Sequence, residues 1–244
     1  MTRITMSVKN LKEIADLLNT VVTETKLKLD NSGISIKAVD PSHVAMISMD
    51  VPKESLTEYS LEREEELAVD VERLKSVLKV ARDSDEITMN VEKDKIAFEI
   101  GAVVKKINLL DGNSVTIPRI PKIGAESYVV ITKQDFDKGL RAAEDVSDSI
   151  RLTLSPTEFK ARSSSESEES ELVLPREMLK EIKCEGSVKS SYPIEYLIKF
   201  TRALQSCDEF KLSFRDDYPL TIDFKFGKDS LITGAFYLAP RMEE

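Results

Sequence analysis

The chain has 244 residues, 35 Lys plus Arg against 44 Asp plus Glu, a net charge of −9 and 41% hydrophobic residues. That length suits two ordinary domains, each burying its own core, and no apolar run approaches the roughly 18 residues of a membrane span. The acidic sum argues against a conventional nucleic-acid-binding domain, which is basic overall, unless the cations gather on one surface.

Met1-Thr2-Arg3-Ile4-Thr5 has no signal-peptide pattern and reads into a strand, so the expected compartment is the cytoplasm, or a nucleus if there is one. Helical spacing predicts a first helix over 7–22, capped by Ser7 and burying Val8, Leu11, Ile14, Ala15, Leu18 and Val22. Strands follow over 26–29 and 34–36, joined by the turn Asn31-Ser32-Gly33, and then over 44–51. A second helix starts near Asp70 and buries Val71, Leu74, Val77, Leu78 and Ala81; strands over 87–91, 96–100 and 103–109 come after it.

Residues 112–127 contain Pro118 and Pro121 and no periodicity, which predicts an interdomain linker. Its alternating Val115, Ile117, Ile120 and Ile123 predict that it packs on the surface. A third helix starts near Thr132 and buries Phe136, Leu140, Ala143 and Val146. A fourth has Pro193 in its first turn and buries Ile194, Leu197, Ile198, Thr201 and Leu204. Strands are expected over 152–154, 158–161, 172–174, 210–214, 220–226 and 230–237, with the Ser/Glu-rich 162–170 as a mobile surface loop.

The chain is written twice. Asp85-Glu86-Ile87-Thr88-Met89 follows the second helix as Asp208-Glu209-Phe210-Lys211-Leu212 follows the fourth, and the run from Met6 to Leu11 matches that from Ile131 to Phe136. Repetition at half the chain length predicts two similar domains, not a short-period solenoid. Each helix is preceded by one strand and followed by about three, giving four strand-helix-strand-strand-strand units in an α+β chain.

Each helix also carries a cationic outer stripe. Residues three and four apart share a face, so the stripes read Lys9, Lys12, Asp16, Asn19; Glu72, Lys75, Lys79, Arg82; Gln134, Lys138, Arg141, Asp145; and Glu195, Lys199, Arg202, Ser206. Charged outer faces are ordinary on one amphipathic helix; four with cations at matching offsets in an acidic chain predict a positive surface for a polyanion. Lys and Arg displace counterions from phosphates and give sequence-independent, salt-sensitive binding. Aromatic residues do not interrupt the stripes, so contact with a duplex backbone is favoured over stacking on single strands.

Catalytic signals are sparse. His43 is the single histidine, Cys184 and Cys207 have no metal-ligand spacing, and there is no nucleophile elbow, GxGxxG or Walker A pattern. No catalytic residue, metal or cofactor is expected. Asp40-Pro41-Ser42-His43 leaves a small Ser/His hydrolase as an alternative of another class, and a plain interaction scaffold is a further one.

Four strings carry a family resemblance: Val39-Asp40-Pro41-Ser42-His43-Val44, Ile117-Pro118-Arg119-Ile120-Pro121, Asp217-Tyr218-Pro219-Leu220 and Phe236-Tyr237-Leu238-Ala239-Pro240-Arg241, the last close to the acidic Glu243-Glu244. Over its whole length the chain resembles sliding clamps of the proliferating cell nuclear antigen (PCNA) type, archaeal ones above all. The resemblance implies an N-terminal clamp domain over 1–111, a connecting loop over 112–127 and a C-terminal clamp domain over 128–244. It implies three subunits in a ring, with helices lining the hole and sheets outside. A subunit of a heterotrimeric clamp is the alternative within the family.

The resemblance implies hole-lining cations at Lys12, Lys79, Lys138, Arg141 and Arg202; helical geometry adds Lys9, Lys75, Arg82 and Lys199. Asn19, Ser76, Asp145 and Glu195 stand where relatives are often basic, which predicts a looser grip. A partner groove is implied at Val39, His43, Val44, Ile117, Pro118, Ile120, Pro219, Tyr237, Leu238, Ala239 and Pro240. Subunit contact is implied between the strand over 103–109, with Lys105 and Lys106, and the neighbour's Glu168, Glu169, Glu171, Leu172, Val173 and Leu174. The implied partners are double-stranded DNA, DNA polymerase, flap endonuclease, DNA ligase and the clamp loader, replication factor C. The implied setting is the archaeal cytoplasm, with the nucleoid.

Overall fold

The computed structural model describes residues 2–120 and 124–241. Pro121 and Ile123 of the expected linker, and the terminal Glu243 and Glu244, lie outside the described residues. The chain divides into two compact units, Met1–Ile120 with Lys225–Gly234 and Pro121–Phe224 with Ala235–Glu244.

The first unit runs β1 (Arg3–Ser7), α1 (Val8–Asn19), β2 (Glu24–Asp30), β3 (Gly33–Val39), β4 (Ala45–Pro52), a 3-10 turn (Lys53–Ser55), β5 (Glu58–Ser60), β6 (Glu65–Asp70), α2 (Val71–Leu78), β7 (Glu86–Val91), β8 (Lys95–Ile100) and β9 (Val103–Asn108). Antiparallel pairing gives the orders β5-β1-β7-β8-β9 and β6-β2-β3-β4. The strand entering each helix therefore pairs with the strand leaving the other helix: β1 with β7, and β6 with β2.

The second unit repeats this plan with β10 (Tyr128–Thr132), α3 (Lys133–Ala143), β11 (Ser149–Leu154), β12 (Glu158–Ser164), β13 (Glu169–Pro175), a 3-10 turn (Arg176–Met178), β14 (Glu181–Lys183), β15 (Val188–Pro193), α4 (Ile194–Ala203), β16 (Glu209–Ser213) and β17 (Leu220–Phe226); the last strand is β18 (Ile232–Leu238). Its pairings give β13-β12-β11-β15 and β14-β10-β16-β17, so β10 joins β16 and β15 joins β11.

The four expected strand-helix-strand-strand-strand units are thus present, joined by two short strands, β5 and β14, that the sequence pattern does not signal. Both are three residues long and half exposed, too short to show alternation. The expected loop over 162–170 is instead a hairpin: Arg162 and Ser164 lie in β12, and β13 begins at Glu169. Arg162 Nη2 meets Glu169 at 2.7 Å, and Ser163 Oγ donates to the Ser149 carbonyl at 2.8 Å, so polar side chains brace the strand.

Helix starts follow the sequence and helix ends less so. The Asp70 side chain accepts the Arg73 N–H at 2.9 Å and Thr132 Oγ1 that of Asp135 at 3.1 Å, whereas Ser7 makes no side-chain cap bond. α1 stops at Asn19, short of Val22, where Thr20 Oγ1 donates back to the Leu17 carbonyl at 2.6 Å. Ala81 and Val146 also fall beyond their helices.

One helix face builds each core. In the first unit Leu11, Ile14, Leu18 and Leu74 pack in an aliphatic core with Met6, Leu27, Ile36, Met89 and Phe98. Each such side chain, fully buried, contributes about 1.5–3 kcal/mol. The second unit uses rings: Phe200 stacks on Phe236 at 4.6 Å, and Phe136 meets Phe210 edge-on at 5.6 Å.

Candidate nucleic-acid interface and docking segments

Four equivalent hydrogen bonds place the helices. The first N–H of each helix donates to the carbonyl just before the strand that leaves the partner helix: Val8 to Asp85 at 3.0 Å, Val71 to Thr23 at 2.9 Å, Lys133 to Asp208 at 2.8 Å and Ile194 to Asp148 at 3.1 Å. Each bond satisfies a donor that a helix start leaves without an intrahelical partner. Within each unit the two helices then run in contact, with their apolar faces on the sheets and their charged faces on one polar side.

In the first unit the polar faces meet through ion pairs. Lys75 of α2 lies 3.1 Å from Asp16 of α1. Lys12 donates to Asp83 at 2.7 Å and to the Ala81 carbonyl at 2.9 Å, in the turn after α2. Lys9 and Lys79 are exposed and make no ion pair among the described residues. In the second unit Arg202 of α4 grips Glu144, at the end of α3, with two bonds of 2.7 and 2.8 Å. Lys199 pairs with Glu195 on its own helix, and Lys138 lies 3.8 Å from Asp135. Arg141 is exposed and unpaired among the described residues.

Arg82 departs from its expected place. α2 ends at Leu78, so Arg82 sits in the following turn, where its backbone N–H donates to Asp85 Oδ2 at 2.9 Å. That side-chain acceptor closes the turn and draws the chain out of the helix. Its guanidinium remains exposed. Sequence reasoning passed over Arg73 on α2, exposed and 3.5 Å from Asp70; it lies off the stripe that spacing from Lys75 and Lys79 defines.

The segment around His43 is a rigid loop. Asp40 is buried, and its carboxylate accepts the N–H groups of Ser42 at 3.0 Å, Val44 at 2.7 Å and Ala45 at 2.6 Å. His43 is exposed in the left-handed region, φ 58°. The Asp40 carboxylate is thus committed to backbone, and Ser42 stands in solvent. Val39, Val44, Ile117, Pro118 and Ile120 are half-buried in the first unit. In the second unit Pro219, Tyr237, Ala239 and Pro240 are half-buried, while Leu238 is wholly buried and offers a partner no side-chain surface.

β9 and β13 end their sheets, each with one edge that pairs with no strand among the described residues. Val103 and Val104 on β9 are 46% and 57% exposed, and Val173 on β13 is 41% exposed. The pair Val103-Val104 is the signal that attention to charge overlooked, because an apolar free edge is a surface that awaits a strand. The charges beside it are engaged locally: Lys105 donates to the Ser76 carbonyl at 3.0 Å, Lys106 to Glu92 at 2.7 Å, and Glu169 holds Arg162. Leu174 is buried, and Leu172 packs on Gly139 of α3. Glu168 and Glu171 are exposed.

Among the described residues no cluster of His, Cys, Asp and Glu is arranged to hold a metal ion, and no helix is long and apolar enough to cross a membrane.

Known proteins match this arrangement closely. The chain is 51% identical to the DNA polymerase sliding clamp of Thermoplasma acidophilum and 54% identical to that of Picrophilus torridus, in each case over 100% of both chains. The chain belongs to the DNA polymerase sliding clamp family. Residues 5–109 match the model of the proliferating cell nuclear antigen N-terminal domain. Among solved structures, PCNA of A. fulgidus, bound to the C-terminal region of FEN-1, superposes with a TM-score of 0.94 at 25% identity over 100% of both chains. PCNA of Thermococcus kodakaraensis superposes at 0.89 with 26% identity, over 99% of this chain and 100% of that one. The repeated α+β units are those of a PCNA-type clamp, and the chain is a DNA sliding clamp and polymerase processivity factor.

Proposed function

We propose that three copies of this clamp close head to tail into a ring around duplex DNA. The observation that carries this reading is the pair of dissimilar free edges, β9 with Val103 and Val104 and β13 with Val173. Two different edges on one subunit make a heterologous contact, which generates a closed ring when the rotation per subunit fits. Strand addition from edge to edge supplies the backbone bonds and the valines supply burial, with Glu168 and Glu171 facing Lys105 and Lys106 at the rim.

On this reading the subunit is organised as 1–111, a connecting loop over 112–127, and 128–244. Duplex contact is made by Lys9, Lys12, Lys75, Lys79, Arg82, Lys138, Arg141, Lys199 and Arg202. Loose, nearly equivalent phosphate contacts suit sliding. The Asp40-stiffened loop, the linker and the segment 237–240 receive short peptides of DNA polymerase, flap endonuclease and DNA ligase, and replication factor C opens the ring. The clamp acts in the cytoplasm on the nucleoid as a tether that raises effective concentration, not as an enzyme.

Light scattering tests the ring. About three times the 27.4 kDa subunit mass is expected, with Val104→Arg or Val173→Arg reducing it to one. A wild-type chain that stays monomeric at high concentration would remove the homotrimer and point to paralogous subunits. Unchanged polymerase run length on a primed circle with and without the chain would remove the tether.

A further inference from the structure

The core of the first unit encloses a void of about 20 Å³, between α1, α2 and the strands of both sheet portions. Met6, Leu11, Leu18, Ile34, Val69 and Met89 are among its walls, and every lining side chain is apolar and at most 7% exposed. A void of that size has room for one water, but a buried water needs about two to four polar partners. The lining side chains offer none, and the strand backbone beside it is committed to the sheets: Ile34 pairs with Leu29 and Val51, and Val69 with Thr25. The void is therefore dry, and its walls lack dispersion partners on one side. The internal repeat gives its origin. Leu11 recurs as Phe136, and Ile34, the second residue of β3, as Phe159, the second residue of β12. The Phe136 and Phe159 rings lie 6.4 Å apart, and Phe136 also meets Phe210 at 5.6 Å. The smaller aliphatic residues of the first unit leave part of that ring volume unfilled.

Met6 and Met89 give one wall a flexible, polarisable lining that can yield to a guest. Engineered apolar cavities of about 150 Å³ stay dry and take benzene or xenon; a void of about 20 Å³ excludes the ring and retains the single atom. We propose that this void is a binding site for one small apolar guest of xenon size, held by dispersion alone. It lies beneath the apolar faces of α1 and α2, away from their cations, and does not depend on ring closure. Its ring-filled counterpart in the second unit takes no such guest.

Methyl NMR of the full chain under increasing xenon pressure tests it. Saturable shifts are expected at the methyls of Met6, Leu11, Leu18 and Met89, with only weak, non-saturating shifts at the buried Leu140 and Leu212 of the second unit. Leu11→Phe supplies the ring that the second repeat carries, and is expected to abolish the saturable shifts. Val69→Ile adds a single methyl to the lining and keeps the test open should the ring fail to pack. It is expected to weaken xenon binding at least fivefold in a folded chain. Absent saturation at the first-unit methyls, saturation unchanged in Val69→Ile, or equal saturation at Leu140 and Leu212 would overturn the proposal.

Discussion

Lys75 Nζ sits 3.1 Å from the Asp16 carboxylate, so a cation of α2 directs much of its field at α1. A phosphate approaching Lys75 competes with that carboxylate. Asp16→Asn is therefore expected to tighten binding to a linear duplex several-fold at low salt. It should also steepen the log–log salt dependence by about 0.9, the increment for one further phosphate contact. Anisotropy titrations across a salt series measure both; an unchanged slope would place Lys75 away from the phosphates.

Lys79 and Arg141 are the contrasting case, exposed cations without an ion pair among the described residues. With no internal carboxylate to screen them, they are expected to dominate the electrostatic term. Lys79→Glu with Arg141→Glu should weaken duplex binding by about tenfold or more and flatten the salt slope by about 2. Polymerase run length on a primed circle should fall while the subunit's melting temperature holds. Run length equal to the wild type would favour a scaffold that never encircles DNA.

Much of this was legible in the sequence, for physical reasons. Val8, Leu11, Ile14 and Leu18 repeat at helical spacing because one face of α1 is buried, and Asp70 and Thr132 announce helix starts because their side chains accept early N–H groups. The Asp85 and Asp208 repeat marks two of the four positions whose carbonyls receive a helix N–H. What the sequence hid depends on pairing in space. Lys12, Lys75 and Arg202 look as cationic in a helical projection as Lys9 or Arg141, yet their partners Asp83, Asp16 and Glu144 belong to other segments. Arg82 keeps helical spacing although the helix ends four residues before it. The Ser/Glu composition of 162–170 suggests a loop because its cross-strand ion pair is invisible to composition.

Gly33 closes the β2–β3 turn with φ +138°, and a Cβ there would lie 2.2 Å from the Val51 carbonyl oxygen and 2.8 Å from the Lys53 nitrogen. Both obstacles are backbone and cannot rotate aside. Gly33→Ala is expected to cost about 3 kcal/mol, from strain and overpacking together. Gly101 has φ +56° and open space around the same position, so Gly101→Ala should cost only about 1 kcal/mol. Urea denaturation of the two variants compares them, and equal losses would contradict the packing at Gly33.

Tyr59 bridges the same turn, its hydroxyl donating to the carbonyls of Asp30 at 2.7 Å and Gly33 at 2.8 Å. Burial, followed by the nearby Asp30 charge, pushes the phenol from 10.0 up to about 12. The unfolded chain releases this proton near pH 10 and the folded chain holds it to about 12. The stabilisation is therefore complete below pH 10 and lost as pH rises through 12. Ultraviolet titration should show a phenolate near pH 12 that Tyr59→Phe lacks, distinct from the still later Tyr192, which burial raises further, and the variant's stability should decline less steeply across that window. A Tyr59→Phe titration superimposable on the wild type would refute the assignment.

The crossed pairing of β1 with β7 and β6 with β2, mirrored by β10 with β16 and β15 with β11, has a consequence for how this architecture is made. No single repeat owns a finished sheet: each lends its first strand to its neighbour and borrows one in return. A ribosome that has delivered only residues 1–60 has delivered a half-clasp, with β1 still lacking β7 and β2 lacking β6. Such a half-clasp exposes strand edges until its complement emerges. Expressed alone, it would find that complement in a second copy of itself, a swapped dimer that recreates the two-repeat unit from two short chains.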